Sequence, residues 1–136
     1  MVSAVGLRII LYKANRTHEK SMDEVVRALR KFRDERNWSQ FHTPKDLAIS
    51  VSIEAAELLE IFQWQHNGHE LDGLDKSRIA GEAADVLLYT LMLFDRLGLD
   101  PVTEAMKKID FNGRRFPVEK TFDKPASALK TLKYAK

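Results

Sequence analysis

The chain has 136 residues, a net charge of +2 and no cysteine. This length fits one domain with its own hydrophobic core, and the lack of cysteine excludes disulfides, thiolate metal sites and cysteine nucleophiles. The composition, 44% hydrophobic and 31% charged, is typical of a soluble globular protein, and no apolar run approaches the ~18 residues of a membrane helix. We therefore expect a cytoplasmic protein without a membrane partner.

Capping signals divide residues 21–117 into four predicted helices. Each begins at a side chain that can accept a hydrogen bond from the first turn, and two have proline at the first helical position. The expected caps are Ser21, Thr43, Asp75 and Asp100. The helices should cover about 21–37, 43–65, 75–98 and 100–116, and no segment shows the alternation of a β-strand. We predict an all-α fold of the four-helix bundle type.

The segments on either side of this domain have less pattern. Residues 1–20 are predicted to be an N-terminal extension, because an apolar stretch is broken by Gly6 and Arg8 and lacks the basic start and cleavage site of a signal peptide. Residues 118–136 form a Lys-rich tail that we expect to be partly extended or bound to a partner. The expected domain is residues 21–117.

Two pairs of acids stand among apolar residues of the second and third helices. They are Glu54 with Glu57 and Glu82 with Asp85, and a spacing of three residues puts both members of a pair on one helix face. Residues 46–75 contain seven acids and no Lys or Arg. An unpaired buried carboxylate is unfavourable by several kcal/mol, so the pattern favours a hard divalent cation such as Mg²⁺.

A structural interpretation of these acids stays open. A single pair of this spacing is most often a solvated helix edge, and Arg78, four residues before Glu82, offers the second pair an alternative partner. A di-iron carboxylate site is not indicated, because its Glu-x-x-His pairs are absent. His66 and His69 are spaced for a metal but flank Asn67-Gly68, which favours a polar loop.

The second and third helices are apolar around most of their circumference, which requires cover on several sides. Four helices of one small chain cannot supply it, so we predict a homo-oligomer, most simply a tetramer built as a dimer of dimers, with a dimer as the alternative.

The fourth helix and the aromatic residues suggest a phosphorylated, planar ligand. Lys108, Asn112 and Arg115 recur on one face and suit phosphate oxygens, although a solvated basic face is the alternative. Trp38, Phe41, His42 and Trp64 could flank a nucleobase, although Trp64 could instead belong to the core and His42 could make a local turn contact. No Gly-rich phosphate loop is present, and the basic residues do not form the continuous face of a nucleic-acid-binding protein.

Four segments together resemble the MazG-type all-α nucleoside triphosphate pyrophosphohydrolases, and within them the dCTP pyrophosphatase subgroup. Motif order and spacing are kept over about residues 22–117. The segments are 32–42 (FRDERNWSQFH), 54–64 (EAAELLEIFQW), 82–89 (EAADVLLY) and 108–117 (KIDFNGRRFP).

The resemblance implies hydrolysis between the α- and β-phosphates of a nucleoside triphosphate, with Mg²⁺ as cofactor and Mn²⁺ as a substitute. It assigns as metal ligands Glu54, Glu57, Glu82 and Asp85, with the general base left open between the first two. It assigns to the nucleoside Trp38, His42, Trp64 and Tyr89, and to phosphate Lys108, Asn112 and Arg115. Gly113 and Phe116 depart from residues common in the subgroup, which leaves secondary phosphate contacts open.

Two other functions compete with this one. A non-catalytic helical module that keeps a structural metal would gain stability from the metal without turnover. A related enzyme branch acts on phosphoribosyl-ATP, but Trp64 and the segment from Trp38 to His42 favour the dCTP-like branch.

Overall fold

A computed structural model of the chain describes residues 21–64 and 74–124, which form helices and turns without a strand. The helices are α1 (Met22–Asp34), a 3-10 helix (Trp38–Phe41), α2 (Pro44–Glu60), α3 (Lys76–Leu97), α4 (Pro101–Arg115) and α5 (Val118–Thr121). The prediction of an all-α chain is confirmed for these residues. The predicted extension at 1–20, both loop histidines and the end of the tail lie outside them.

The chain divides into two compact units, residues 1–39 and 40–136. In the first, α1 begins as predicted: the Ser21 hydroxyl accepts the Glu24 N–H at 3.3 Å, and the Glu24 carboxylate accepts the Ser21 N–H at 2.9 Å. The helix ends at Asp34, three residues before the predicted end, because the chain turns through Asn37 at a φ of 52°.

In the second unit, α2 and α3 begin at the predicted caps, Thr43 and Asp75. The predicted end of α3 is also confirmed, since Gly98 closes it with a φ of 67°, a conformation that glycine adopts freely. The predicted end of α2 near Gln65 is wrong: the helix stops at Glu60 and the chain turns through 61–64. Neither glycine nor proline marks that end, so the sequence gives no local signal for it.

The α2 and α3 helices pack against each other in antiparallel register. Glu54 of α2 lies by Glu82 and Asp85 of α3, and farther along α2 Glu60 reaches Arg78, nearer the start of α3. The hydrophobic residues that are buried among the described ones, Leu47, Leu91 and Met92, all lie in these two helices. The hairpin of α2 and α3 is therefore the rigid frame that carries the acids.

The rest of the second unit follows the hairpin. Asp100 caps α4 by accepting the Thr103 N–H at 2.7 Å, and Pro101 is the first helical residue, as predicted. The start of the tail forms α5, where the Thr121 hydroxyl donates to the Pro117 carbonyl at 2.9 Å. The end of the tail, expected to be partly extended or bound to a partner, lies outside the described residues. None of the helices in 21–64 and 74–124 combines the length and the apolar character needed to cross a membrane.

Candidate metal centre

Three of the four predicted ligands meet between α2 and α3. Glu54, Glu82 and Asp85 each present a carboxylate oxygen, and the three oxygens lie within 4.8 Å of one another. The first two side chains are half-buried and Asp85 is exposed, so the group opens to solvent on one side. Three convergent carboxylates from two rigid helices are the ligand type that hard divalent cations prefer.

This carboxylate group, Glu54, Glu82 and Asp85, brings three acidic side chains together between α2 and α3. No Lys, Arg or His forms an ion pair with its three members in the described parts of the chain. Burial raises the pKa of Glu54 above the ordinary 4.5, and the charges of Glu57, Asp85 and Glu82 raise this pKa further. A cation would relieve the repulsion, and the donor set thus fits a divalent metal ion.

Glu57, the fourth predicted ligand, is not gathered with the other three. Its side chain is exposed and lines an open groove of about 660 Å³ on α2, together with Ile53, Ala56, Leu59, Glu60 and Gln63. Its charge is near enough to raise the pKa of Glu54. Glu57 and Asp85 are both exposed in the single chain, although their apolar neighbours in the sequence suggested burial.

The structural alternative for the second acid pair is also resolved. Arg78 does not pair with Glu82: its Nη2 lies 3.9 Å from the Glu60 Oε2 of α2. The sequence suggested an ion pair within one helix, and the antiparallel register supplies one between helices. This leaves Glu82 free to act with Glu54 and Asp85.

The N-terminal unit holds Trp38 in an aromatic and cationic cluster. The rings of Phe32 and Trp38 meet edge to face with centroids 5.7 Å apart. The Arg36 guanidinium lies 3.8 Å from the Phe32 centroid and 5.9 Å from that of Trp38, and donates to the Phe32 carbonyl at 2.9 Å. Arg36 was not among the predicted site residues, although the predicted helix over 21–37 places it four residues after Phe32, a spacing that favours such a contact.

The other predicted nucleoside contacts differ in exposure. His42 and Tyr89 are half-buried, and the His42 Nδ1 atom is buried. Trp64 follows the end of α2 and is 81% exposed. The alternative that Trp64 packs into the core is wrong for this chain, and the indole is available to a ligand or a partner.

The predicted phosphate contacts lie on α4 as expected from their spacing. The Lys108 Nζ lies 4.8 Å from the Phe111 centroid, and the Arg115 guanidinium lies 5.4 Å from the Phe116 centroid. Lys108 is exposed, whereas Asn112 and Arg115 are half-buried. Within the described residues Lys108 has no acidic partner, so its charge is available to an anion.

The chain is similar to known proteins of one family. Residues 49–127 match the model of the MazG-like family. The chain is 32% identical over 103 residues to dCTP pyrophosphatase 1 from Homo sapiens, covering 73% of this chain and 61% of the human protein. Identity to dCTP pyrophosphatase 1 from Rattus norvegicus is 31% over 104 residues, covering 74% and 61%. The chain thus spans less than two thirds of the length of these relatives.

A solved structure is similar as well. A pyrophosphatase from Archaeoglobus fulgidus has a TM-score of 0.68 and 43% sequence identity to this chain, and the match covers 75% of this chain and 97% of the archaeal one. The likeness extends over almost the whole archaeal chain.

Proposed function

The chain belongs to the MazG-like family, and on that premise we propose that it is a nucleoside triphosphate pyrophosphohydrolase. It cleaves the bond between the α- and β-phosphates and releases a nucleoside monophosphate and pyrophosphate. The observation that carries the proposal is the group of three carboxylates, which has no ion-pair partner among the described residues. Pyrophosphatases with a similar sequence and fold support the reaction class. The role would be removal of unwanted nucleotides in the cytoplasm.

The ligands of the proposed cofactor are Glu54, Glu82 and Asp85, with Glu57 as the fourth acid beside them. All four offer hard oxygen donors, which suits Mg²⁺ first and Mn²⁺ as a substitute. When bound, the divalent cation neutralises phosphate oxygens and lowers the pKa of the attacking water. The half-buried positions of two ligands on rigid helices keep the carboxylate oxygens converged before the cation arrives.

The reaction needs a group that takes a proton from water. The oxygen of water forms a bond to the α-phosphorus, the bond from that phosphorus to the α–β bridging oxygen breaks, and pyrophosphate leaves with the bridging oxygen. Glu54 and Glu57 are the two candidates for the base. Glu54 lies with the two carboxylates of α3, whereas Glu57 is the more open to water.

We assign the nucleoside to the aromatic residues and the phosphates to α4. Trp38, His42, Trp64 and Tyr89 would contact the base and sugar, with stacking worth ~1–3 kcal/mol per ring. Lys108, Asn112 and Arg115 would contact phosphate. The named activity of the human and rat relatives supports dCTP as the preferred substrate, with deoxynucleotides favoured over ribonucleotides.

The proposed enzyme is a homo-oligomer, most simply a tetramer. Large apolar side chains of α2, α3 and α4 are exposed in the single chain, among them Ile49, Ile53, Leu59, Leu87, Met106 and Ile109. Exposed apolar surface of this extent is typical of an interface between subunits. A second copy of the chain is the partner that this distribution supports.

A screen for pyrophosphate release tests the proposal. Canonical deoxy- and ribonucleoside triphosphates, modified cytosine nucleotides and phosphoribosyl-ATP are each incubated with the protein and Mg²⁺. We expect pyrophosphate from dCTP above the other substrates. Pyrophosphate release from phosphoribosyl-ATP alone would assign the chain to that branch of the family. A melting temperature that rises with Mg²⁺ in the absence of any turnover would instead indicate a structural metal in a non-catalytic module.

A further inference from the structure

The ion pair between Arg78 and Glu60 is weakly held. Its two atoms lie 3.9 Å apart, near the outer limit for such a contact, and the side chains are 50% and 63% exposed. Exposed pairs of this kind contribute little to stability. Arg78 can therefore change its partner at small cost.

The place of Arg78 on α3 puts a cation next to the carboxylate group. It precedes Glu82 by four residues, so the two side chains lie on one helix face, about 6 Å apart along the axis. The other basic residues of the hairpin are less well placed: Lys45 and Arg96 lie at its opposite end, and Lys76 lies two residues before Arg78, on another face. Arg78 is thus the cation of the hairpin best placed for a ligand at the carboxylates.

We propose that Arg78 binds the β- or γ-phosphate of the triphosphate, and that it leaves Glu60 to do so. This inference rests on the proposed function, which brings a triphosphate to the carboxylate group. The planar guanidinium can donate two parallel hydrogen bonds to phosphate oxygens, whereas its 3.9 Å contact with the Glu60 Oε2 is too long for a hydrogen bond. Without substrate the Glu60 carboxylate pairs with Arg78, and it therefore competes with the triphosphate for the guanidinium.

The two halves of the ion pair give opposite predictions, which separates this role from a structural one. Arg78→Met removes the phosphate contact and should raise KM for the triphosphate by roughly tenfold or more. Glu60→Gln removes the competitor and should leave KM unchanged or lower it. If the pair only joined the helices, both variants would lose the same contact and shift KM and melting temperature in the same direction.

The experiment compares wild type, Arg78→Met, Arg78→Lys and Glu60→Gln, with Lys76→Met as the control for loss of one positive charge at the start of α3. KM is measured with Mg²⁺ in excess, together with inhibition by pyrophosphate and by the nucleoside monophosphate. We expect Arg78→Met to weaken inhibition by pyrophosphate and to spare that by the monophosphate, which lacks the β- and γ-phosphates. Arg78→Lys should keep part of the pyrophosphate binding that Arg78→Met loses.

Two results would overturn the role of Arg78: equal effects of Arg78→Met and Glu60→Gln on KM, or an Arg78→Met variant that behaves like Lys76→Met. Failure of the proposed function has a different signature, since the wild type itself would then hydrolyse no triphosphate. Calorimetric titration of pyrophosphate with Mg²⁺ into the same variants still measures the Arg78 contact in that case, and equal affinity in wild type and Arg78→Met would contradict it.

Discussion

Glu54 is a member of the carboxylate group whose pKa responds to its surroundings. Its pKa is raised by burial and by three neighbouring acids, so the folded state disfavours its ionised form. The penalty is absent below the ordinary pKa of 4.5 and grows as the pH rises above it. At neutral pH without a divalent cation, Glu54 therefore lowers the stability of the fold.

The unfavourable ionisation of Glu54 in the folded state predicts the behaviour of a Glu54→Gln variant. With a chelator present, its melting temperature at pH 7 should equal or exceed that of the wild type, because one repelling charge is gone. With saturating Mg²⁺, its turnover should fall by at least ~100-fold through loss of a metal ligand. Thermal melting and pyrophosphate release measure the two effects. Glu119→Gln, an exposed acid on α5, is the control, and ordinary turnover in Glu54→Gln would contradict the metal assignment.

Trp64 is the aromatic residue whose role can be tested most cleanly, because its exposure separates binding from packing. Trp64→Ala should leave the melting temperature unchanged and reduce the differences in turnover between dCTP, dTTP and dATP. Loss of one stacked ring, at ~1–3 kcal/mol, corresponds to roughly 5- to 150-fold in affinity. His42→Ala should have a similar effect on ranking, with Mg²⁺ dependence intact in both.

The comparison needs only melting curves and relative turnover of the three nucleotides. An unchanged substrate ranking in Trp64→Ala would remove this residue from the nucleoside pocket. A lowered melting temperature that depends on protein concentration would place it at a subunit interface instead.

At this scale, helical spacing was enough to find the carboxylates but not to say which of them converge. Glu57 shares a face with Glu54, yet only the crossing of α2 over α3 decides that Glu82 and Asp85 meet Glu54. The partner of Arg78 was missed for the same reason. Glu60 is distant in sequence, and its contact depends on the register between two helices.

Among the helices, α4 offers a test of how a single cap supports the segment that carries Lys108, Asn112 and Arg115. The Asp100 carboxylate accepts hydrogen bonds from Thr103, which lower its pKa below the ordinary 3.8. A lowered pKa means that the charged cap stabilises the fold above the ordinary value, and that this contribution is lost as the pH falls through the lowered one.

Asp100→Ala should therefore lower the melting temperature at neutral pH, and its difference from wild type should shrink as the pH falls through that window. Asp100→Asn should keep much of the stability, because Asn also caps helices. Asp110→Ala, on the same helix, is the control. Melting curves from neutral to strongly acidic pH check this, and a difference that stays constant with pH would show that the charge of Asp100 is not involved.

Helix boundaries were predictable where a side chain or a glycine marks them. The capped starts at Ser21, Thr43, Asp75 and Asp100, and the end at Gly98, all agree with the sequence. The ends of α1 and α2 were placed too late, because the residues that follow them are compatible with a helix. In α5, hydrogen bonds of Thr121 to the preceding turn create a helix that a Lys-rich composition does not reveal.

At the scale of the whole molecule, the single chain leaves much of its apolar surface uncovered. The buried hydrophobic residues among those described are confined to Leu47, Leu91 and Met92, whereas α2, α3 and α4 each expose large apolar side chains. The prediction from sequence that α2 and α3 need cover on several sides agrees with this distribution. Which faces would meet in the proposed homo-oligomer could not be predicted, since that depends on shape as well as composition.

Light scattering at micromolar concentration tests the assembly. We expect about four times the mass of the 15.6 kDa chain, or twice that mass if only the dimer forms. Ile53→Asp, which puts a charge on an exposed apolar position of α2, should reduce the mass. A monomer with full activity would contradict the assembly.

Phosphorus NMR of the products formed from dCTP with Mg²⁺ tests the proposed cleavage of the α–β phosphate bond. Wild type, Asp85→Asn and the control Glu119→Gln are compared at equal concentration. We expect dCMP and pyrophosphate in equal amounts, a rate at least ~100-fold lower in Asp85→Asn, and an unchanged rate in Glu119→Gln. Formation of dCDP and orthophosphate, or wild-type turnover in Asp85→Asn, would contradict metal-dependent cleavage of the α–β bond.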